Sequence, residues 1–184
     1  ALAMEAAHSS AAGVPSSARS AKLLAAADAL AMKRDLPELH GLVRATSGIV
    51  AFLEGRWRIA YERCSAGERI FRDRCLGAAW EADSAQAFKL WALSYLGEMS
   101  ELAWAVPQAI HEAEERGDLY AATNLRIGEL NFVHLVADDI DGARRAAATA
   151  MAAWSRQGFH HQHWDNLLAE GTTDLDFVRL AAAA

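Results

Sequence analysis

Three prolines, Pro15, Pro37 and Pro107, occur in 184 residues, so few positions forbid a continuing helix. β-branched Val, Ile and Thr are sparse too, and with them goes the composition that favours strands. The two cysteines, Cys64 and Cys75, stand eleven apart, a spacing with no metal or redox signature. Two reduced cytosolic thiols, at least one of them buried, are the expectation. No apolar run approaches the roughly 20 residues that would span a bilayer, so no membrane role is expected. Ala1 to Ser20 lacks a basic start followed by an apolar core, which argues against a secretory signal and for a cytoplasmic protein. Lysine is limited to Lys22, Lys33 and Lys89, carboxylates are interspersed among the arginines, and the formal charge is −6. Nothing there tracks a phosphate backbone, so nucleic-acid binding is disfavoured.

What the chain does hold is alanine, the strongest helix former, within a hydrophobic share of 53%. The expected fold class is all-α. Residues 1–16, with Ser9-Ser10, Gly13 and Pro15, read as a flexible leader, and residues 17–180 as a single helical-repeat domain. Hydrophobic periodicity and breakers predict helices over 17–34, 37–54, 56–74, 79–96, 99–116, 119–137, 141–157 and 161–170. Pro37 suits a first helical position and Gly55 a C-terminal stop. Pro107 falls inside a predicted helix and should bend it. Links as short as Gly97-Glu98 and Gly117-Asp118 force neighbouring helices to lie antiparallel.

The chain is also similar to itself. Phe52-Leu53-Glu54-Gly55 through Ala60 aligns with Tyr95-Leu96-Gly97-Glu98 through Ala103, and both with Leu135-Val136-Ala137-Asp138 through Ala143. Each block ends one helix on an apolar pair, turns tightly, and places a small Ala early in the next. The alanines lie 43 and 40 apart, so the unit is two helices in about 42 residues. One such pair cannot bury its apolar face alone, and stacking shares a continuous core. Trp57, Phe71, Trp80, Phe88, Trp91, Trp104, Phe132, Trp154 and Trp164 are expected to fill the spaces between layers.

The unit resembles the tetratricopeptide repeat, with Gly48, Gly55 and Ala60 on its small-residue pattern, although its spacing exceeds the usual 34. Glu54-Gly55-Arg56-Trp57, Arg74-Cys75-Leu76-Gly77-Ala78-Ala79-Trp80-Glu81, Leu90-Trp91-Ala92-Leu93, Glu114-Glu115-Arg116-Gly117-Asp118-Leu119-Tyr120-Ala121 and Trp154-Ser155-Arg156-Gln157-Gly158-Phe159-His160 are similar to wording in a wider group. They resemble the tetratricopeptide-like C-terminal region of large bacterial serine/threonine protein kinases and of related ATPase regulators. The resemblance covers roughly residues 37–170. It implies a right-handed α-solenoid of about 7–8 helices, acting as a regulatory segment that binds a protein or peptide partner. The chain carries no glycine-rich phosphate loop, Val-Ala-Ile-Lys-like strand, His-Arg-Asp loop or Asp-Phe-Gly, so no phosphotransfer is expected of it.

Candidate chemistry is thin. His160, His161 and His163 with Asp165 have the residue types of a zinc site, but at a helix start the three imidazoles do not converge, and capping or packing is the simpler expectation. Glu112, Glu114, Glu115 and Asp118 read as a solvated face, and Asp138, Asp139 and Asp141 as a turn and helix start. No enzyme, cofactor or metal is expected. The binding candidates lie on the predicted helix 119–137, where Asn124, Asn131 and His134 form a polar stripe beside Arg126 and Tyr120. Amides and a guanidinium suit a groove that grips a peptide, and ordinary solvent exposure is the alternative. A sensor that holds a small molecule between helical layers is the alternative function.

Overall fold

The structure, a computed structural model, describes residues 1–12 and 17–183, with side chains through residue 175. Every element among them is helical. The chain divides into two compact units, Ala1–Leu96 and Gly97–Ala184. The first holds α1 (Leu2–Ser10), α2 (Ser17–Arg34), α3 (Pro37–Leu53), α4 (Trp57–Arg74) and α5 (Ala79–Leu96). The second holds α6 (Met99–Glu115), α7 (Leu119–Asn124), a 3-10 turn (Gly128–Asn131), α8 (Phe132–Val136), α9 (Ile140–Ala153) and α10 (His161–Ala183). Among the described residues ten α-helices stand where seven or eight were expected, for two reasons. The leader begins with a helix, and the helix expected over 119–137 is split. No helix among the described residues is long and apolar enough to cross a membrane.

α1 forms where a loose leader was expected because its alanines find partners. Ala3 and Ala6 are buried, the Ser20 hydroxyl donates to the Ala6 carbonyl at 3.2 Å, and Arg19 pairs with Glu5 at 2.6 Å. Gly13, Pro15 and Ser16 of that segment lie outside the described residues.

In the first unit α3 and α4 run antiparallel at close range. A Cβ on Gly41 would meet Phe71 Cε1 at 2.7 Å, one on Gly67 would meet the Ala45 nitrogen at 2.7 Å, and one on Gly48 would strike Cys64. Partner numbers fall as α3 numbers rise, which is the signature of opposite direction. Burial at this seam pushes the Cys64 thiol up to about 12, with Glu68 adding to the rise and Lys89 opposing it. Glu68 is itself buried and accepts from Arg72 Nε at 3.0 Å and Lys89 Nζ at 2.6 Å, tying α4 to α5. At one end of these helices the rings of Phe52, Phe88, Trp91, Tyr95 and Trp57 form a continuous cluster. Trp57 stacks on Tyr95 at 5.0 Å, and Phe88 meets Trp91 edge-on at 4.9 Å.

The recurring turn is visible as hydrogen bonds. After α3, Arg56 N donates to Ala51 O (2.8 Å) and Gly55 N to Phe52 O (2.9 Å). After α6, Asp118 N donates to Ala113 O (2.8 Å) and Gly117 N to Glu114 O (2.9 Å). This is the Schellman pattern, which needs a left-handed residue; Gly55 (φ 75°) and Gly117 (φ 67°) supply it, and Asp138 (φ 55°) takes the same seat after α8.

The aromatic expectation holds in part. Phe71 is buried, and Trp57, Phe88, Trp91, Phe132 and Trp154 are half-buried. Trp80, Trp104 and Trp164 are 61%, 69% and 59% exposed and fill no interlayer space within their units. Periodicity groups them on a helix face without saying whether that face is covered.

Alanine exceeds glycine in helix propensity by about 1 kcal/mol, yet Gly67→Ala should destabilise the first unit. The atoms its methyl meets are Ala45 backbone, which cannot turn aside. A loss of about 1–3 kcal/mol in urea unfolding is expected; a gain would show that α3 and α4 are further apart than described.

Candidate functional site

The helix expected over 119–137 cannot be continuous, and its own apolar residues say why. Leu125, Ile127 and Leu130 are all buried, but at 100° per residue Leu125 and Ile127 would point to nearly opposite sides of one helix. The chain resolves the conflict by leaving the helix. Ile127 is extended (φ −121°, ψ 177°) and Gly128 takes φ 62°, so that both side chains turn inward.

The predicted polar stripe is therefore dismantled. Asn131 is 1% exposed, and its Nδ2 donates to Arg126 O (2.8 Å), a carbonyl freed by the break, and to Ala143 O on α9 (3.1 Å). Asn124 Oδ1 accepts from Gln162 Nε2 of α10 at 3.0 Å. His134 lies on α8, its Nδ1 3.9 Å from Asp139 Oδ2; burial holds its pKa below the ordinary value, with Asp139 opposing and Arg145 assisting. Asn131 presents nothing to a partner, and the stripe at positions 124, 131 and 134 does not exist as one helix face.

Arg126 is the candidate that the structure leaves at a surface concavity. It lines an open groove of about 300 Å³ within the second unit. Glu114 and Gly117 form one wall at the end of α6, Leu119, Ala122 and Thr123 come from α7, and Thr149, Ala150 and Ala153 from α9. The guanidinium is oriented by two acceptors, Ala122 O at 3.0 Å and Glu114 Oε1 at 2.5 Å. The Thr123 hydroxyl, buried in the groove wall, has no hydrogen-bond partner among the described residues. Asp118 caps α7 by accepting from Ala121 N at 2.9 Å, which sets the angle at which α7 enters the groove. Tyr120 is half-exposed on α7 outside the groove lining, its ring 6.3 Å from Trp154. Glu114, Leu119, Thr123 and Thr149 were missed from the sequence. The legible signal was a carboxylate at the end of one helix and an Arg in the next, on either side of a short turn.

The histidines are used locally. His160 Nδ1 accepts from Trp154 Nε1 at 3.1 Å, and His163 Nδ1 accepts from His160 N at 3.0 Å, closing the first turn of α10. His161 Nε2 lies 3.3 Å from Asp165 Oδ2. Among the described residues no three His, Cys, Asp or Glu side chains are grouped to hold a metal ion. Asp165 packs over Gly128, 3.5 Å from where a Cβ would stand. Burial raises its carboxyl above the ordinary carboxylate value; His161 opposes that rise and Glu129 adds to it.

Asn131→Ala should cost about 1–3 kcal/mol in urea unfolding, since a buried amide bridging two backbone carbonyls is lost; an effect within error would sink the role assigned to it. A carboxyl whose native pKa lies above its unfolded value holds its proton more tightly when folded, so it opposes folding at neutral pH. That cost fades as pH falls to the unfolded value of about 3.9. Asp165→Asn should accordingly raise the urea midpoint at pH 7, by a margin that shrinks towards pH 4; a margin that grows with acid would contradict the assignment.

No protein-family model, curated protein or solved structure matches the chain.

Proposed function

We propose that the chain is a non-catalytic interaction module in which the α6–α7–α9 groove holds an extended segment of a partner protein. The observation that carries this reading is Arg126, held by Ala122 O and Glu114 at the edge of an open groove with apolar walls. A guanidinium fixed in direction offers donors to a peptide backbone or polar side chain at little entropic cost. Leu119 and Tyr120, both half-exposed beside it, supply apolar and aromatic contact area. The groove is open, and no tryptophan lines it. That favours a peptide over a small molecule enclosed between layers.

The antiparallel α3–α4 pair of the first unit, and the left-handed turn that recurs after α3 and after α6, support tetratricopeptide-like helix pairing within each unit; a right-handed stack of such pairs is the architecture this reading proposes. The resemblance of Glu54–Trp57, Arg74–Glu81 and Glu114–Ala121 supports a regulatory place in a larger bacterial signalling protein, such as a cytoplasmic serine/threonine kinase or ATPase regulator.

A peptide array probed with the full chain would supply ligands, whose affinities are then read by fluorescence anisotropy. Arg126→Ala should weaken the best of them about tenfold, with the helical circular-dichroism signal unchanged. Asp141→Ala, outside the groove lining, should leave them unaffected. Undiminished binding by Arg126→Ala would remove the groove from consideration.

A further inference from the structure

We propose that the outer face of α10 is the seat of an amphipathic helix from a partner protein, one with a small residue at the crossing point and Lys or Arg along its borders. This surface is separate from the groove, and the inference does not rest on it.

α10 meets its own unit through one face, where Gln162, Ala169 and Thr173 are buried. The opposite face presents His161, Trp164, Leu168, Gly171 and Leu175, all exposed. Their spacing is 3-4-3-4, the interval at which one helix forms a seam with another. Half-exposed Leu167 widens the apolar strip.

Gly171 points to a missing helix more sharply than the apolar side chains do. It stands within a helix of 23 residues, where glycine is a poor helix former. A Cβ built on it would meet nothing within 4 Å. The other glycines inside α-helices all have a reason in view. Gly41, Gly48 and Gly67 sit where α3 and α4 leave no room for a methyl, and Gly142 sits under the Asp139 carboxylate that caps α9. In the first unit the chain places glycine where one helix lets another approach closely. Gly171 has the same residue type at the middle of an exposed apolar seam, and among the described residues of its unit no helix lies against it. A helix laid across Gly171, with its own small residue at the contact, would complete the pattern and cover Trp164, Leu168 and Leu175.

Charge chooses between a second copy and a different partner. From His161 to Leu175 stand three carboxylates and no Lys or Arg; Asp165 turns inward over Gly128, which leaves Glu170 and Asp174 as the exposed acids beside the seam. Asp165 faces His161 at 3.3 Å and Asp174 faces Arg144 of α9 at 3.1 Å, while Glu170 accepts only a neutral amide, Asn166 Nδ2, at 2.8 Å. A second copy crossing at Gly171 would set acid against acid, whereas a helix bordered by Lys or Arg meets opposite charge.

The probe is a fluorescein-labelled peptide of about 20 residues with leucines at 3-4-3-4 spacing, a central alanine and lysines on its borders, titrated with the full chain. A twin peptide carries glutamates in place of the lysines. The lysine peptide should bind at least about tenfold more tightly than its twin. Gly171→Leu should weaken it about tenfold while leaving the thermal midpoint no lower, because the new side chain enters open space. Trp164→Ala should weaken it too, and Arg126→Ala should not. Equal affinity for the two peptides, absence of binding, or binding undiminished by Gly171→Leu would overturn the proposal. So would loss of binding on Arg126→Ala, which would place the peptide in the groove. A dimer in sedimentation that Gly171→Leu dissolves would likewise overturn it, in favour of a second copy.

Discussion

Between α3 and α4 there is no space for a side chain at the points of contact. Gly67 faces the Ala45 backbone, Gly48 faces Cys64, and Ala51, Ala60 and Ala92 close the adjoining layer without projecting into it. Because the two backbones touch there, the larger side chains are displaced to either end of the seam. Phe71 fills the space over Gly41, and the Phe52–Phe88–Trp91–Tyr95–Trp57 cluster gathers at the other end. Glu68 can be buried at this seam because Arg72 and Lys89 reach both of its oxygens, which keeps a carboxylate in low dielectric from standing alone. Small residues thus set the distance between helices, and that distance decides where everything bulky must go.

The second unit is organised by an interrupted helix. Leu125 and Ile127 are both drawn to the interior, the backbone yields between them, and Asn131 binds the carbonyl that the break exposes. The groove exists because α7 is short. Its few residues line the groove between α6 and α9, and Arg126 stands just past its end, beside Glu114.

Much of the helical layout was legible because punctuation and period agree. Pro37 opens α3, and Gly55, Gly97 and Gly117 end helices within a residue or two of where they were expected to. The helix at 119–137 was misread because Gly128 is tolerated by a helical pattern, and the conflict between Leu125 and Ile127 becomes visible only once both are known to be buried. Asn131 looked like surface polarity for the same reason: a lone amide on an apolar helix reads as solvent-facing until a carbonyl from α9 is found above it. The exposure of Trp80, Trp104 and Trp164 was illegible, since a sequence states the face a residue occupies and not what covers that face. Arg126 was legible as a candidate, but its companions in the groove come from three helices and could be assembled only by folding.

The burial of Cys64 gives the first unit a built-in clock. Its sulfur lies under Gly48 at the tightest point of the α3–α4 seam, with its thiolate strongly disfavoured. An alkylating reagent reaches that sulfur only when the two helices part. Cys75 sits half-buried just beyond the end of α4 and marks the reagent's access to the folded protein. The ratio of the two labelling rates therefore reports how often α3 and α4 separate, through cysteines the chain already carries.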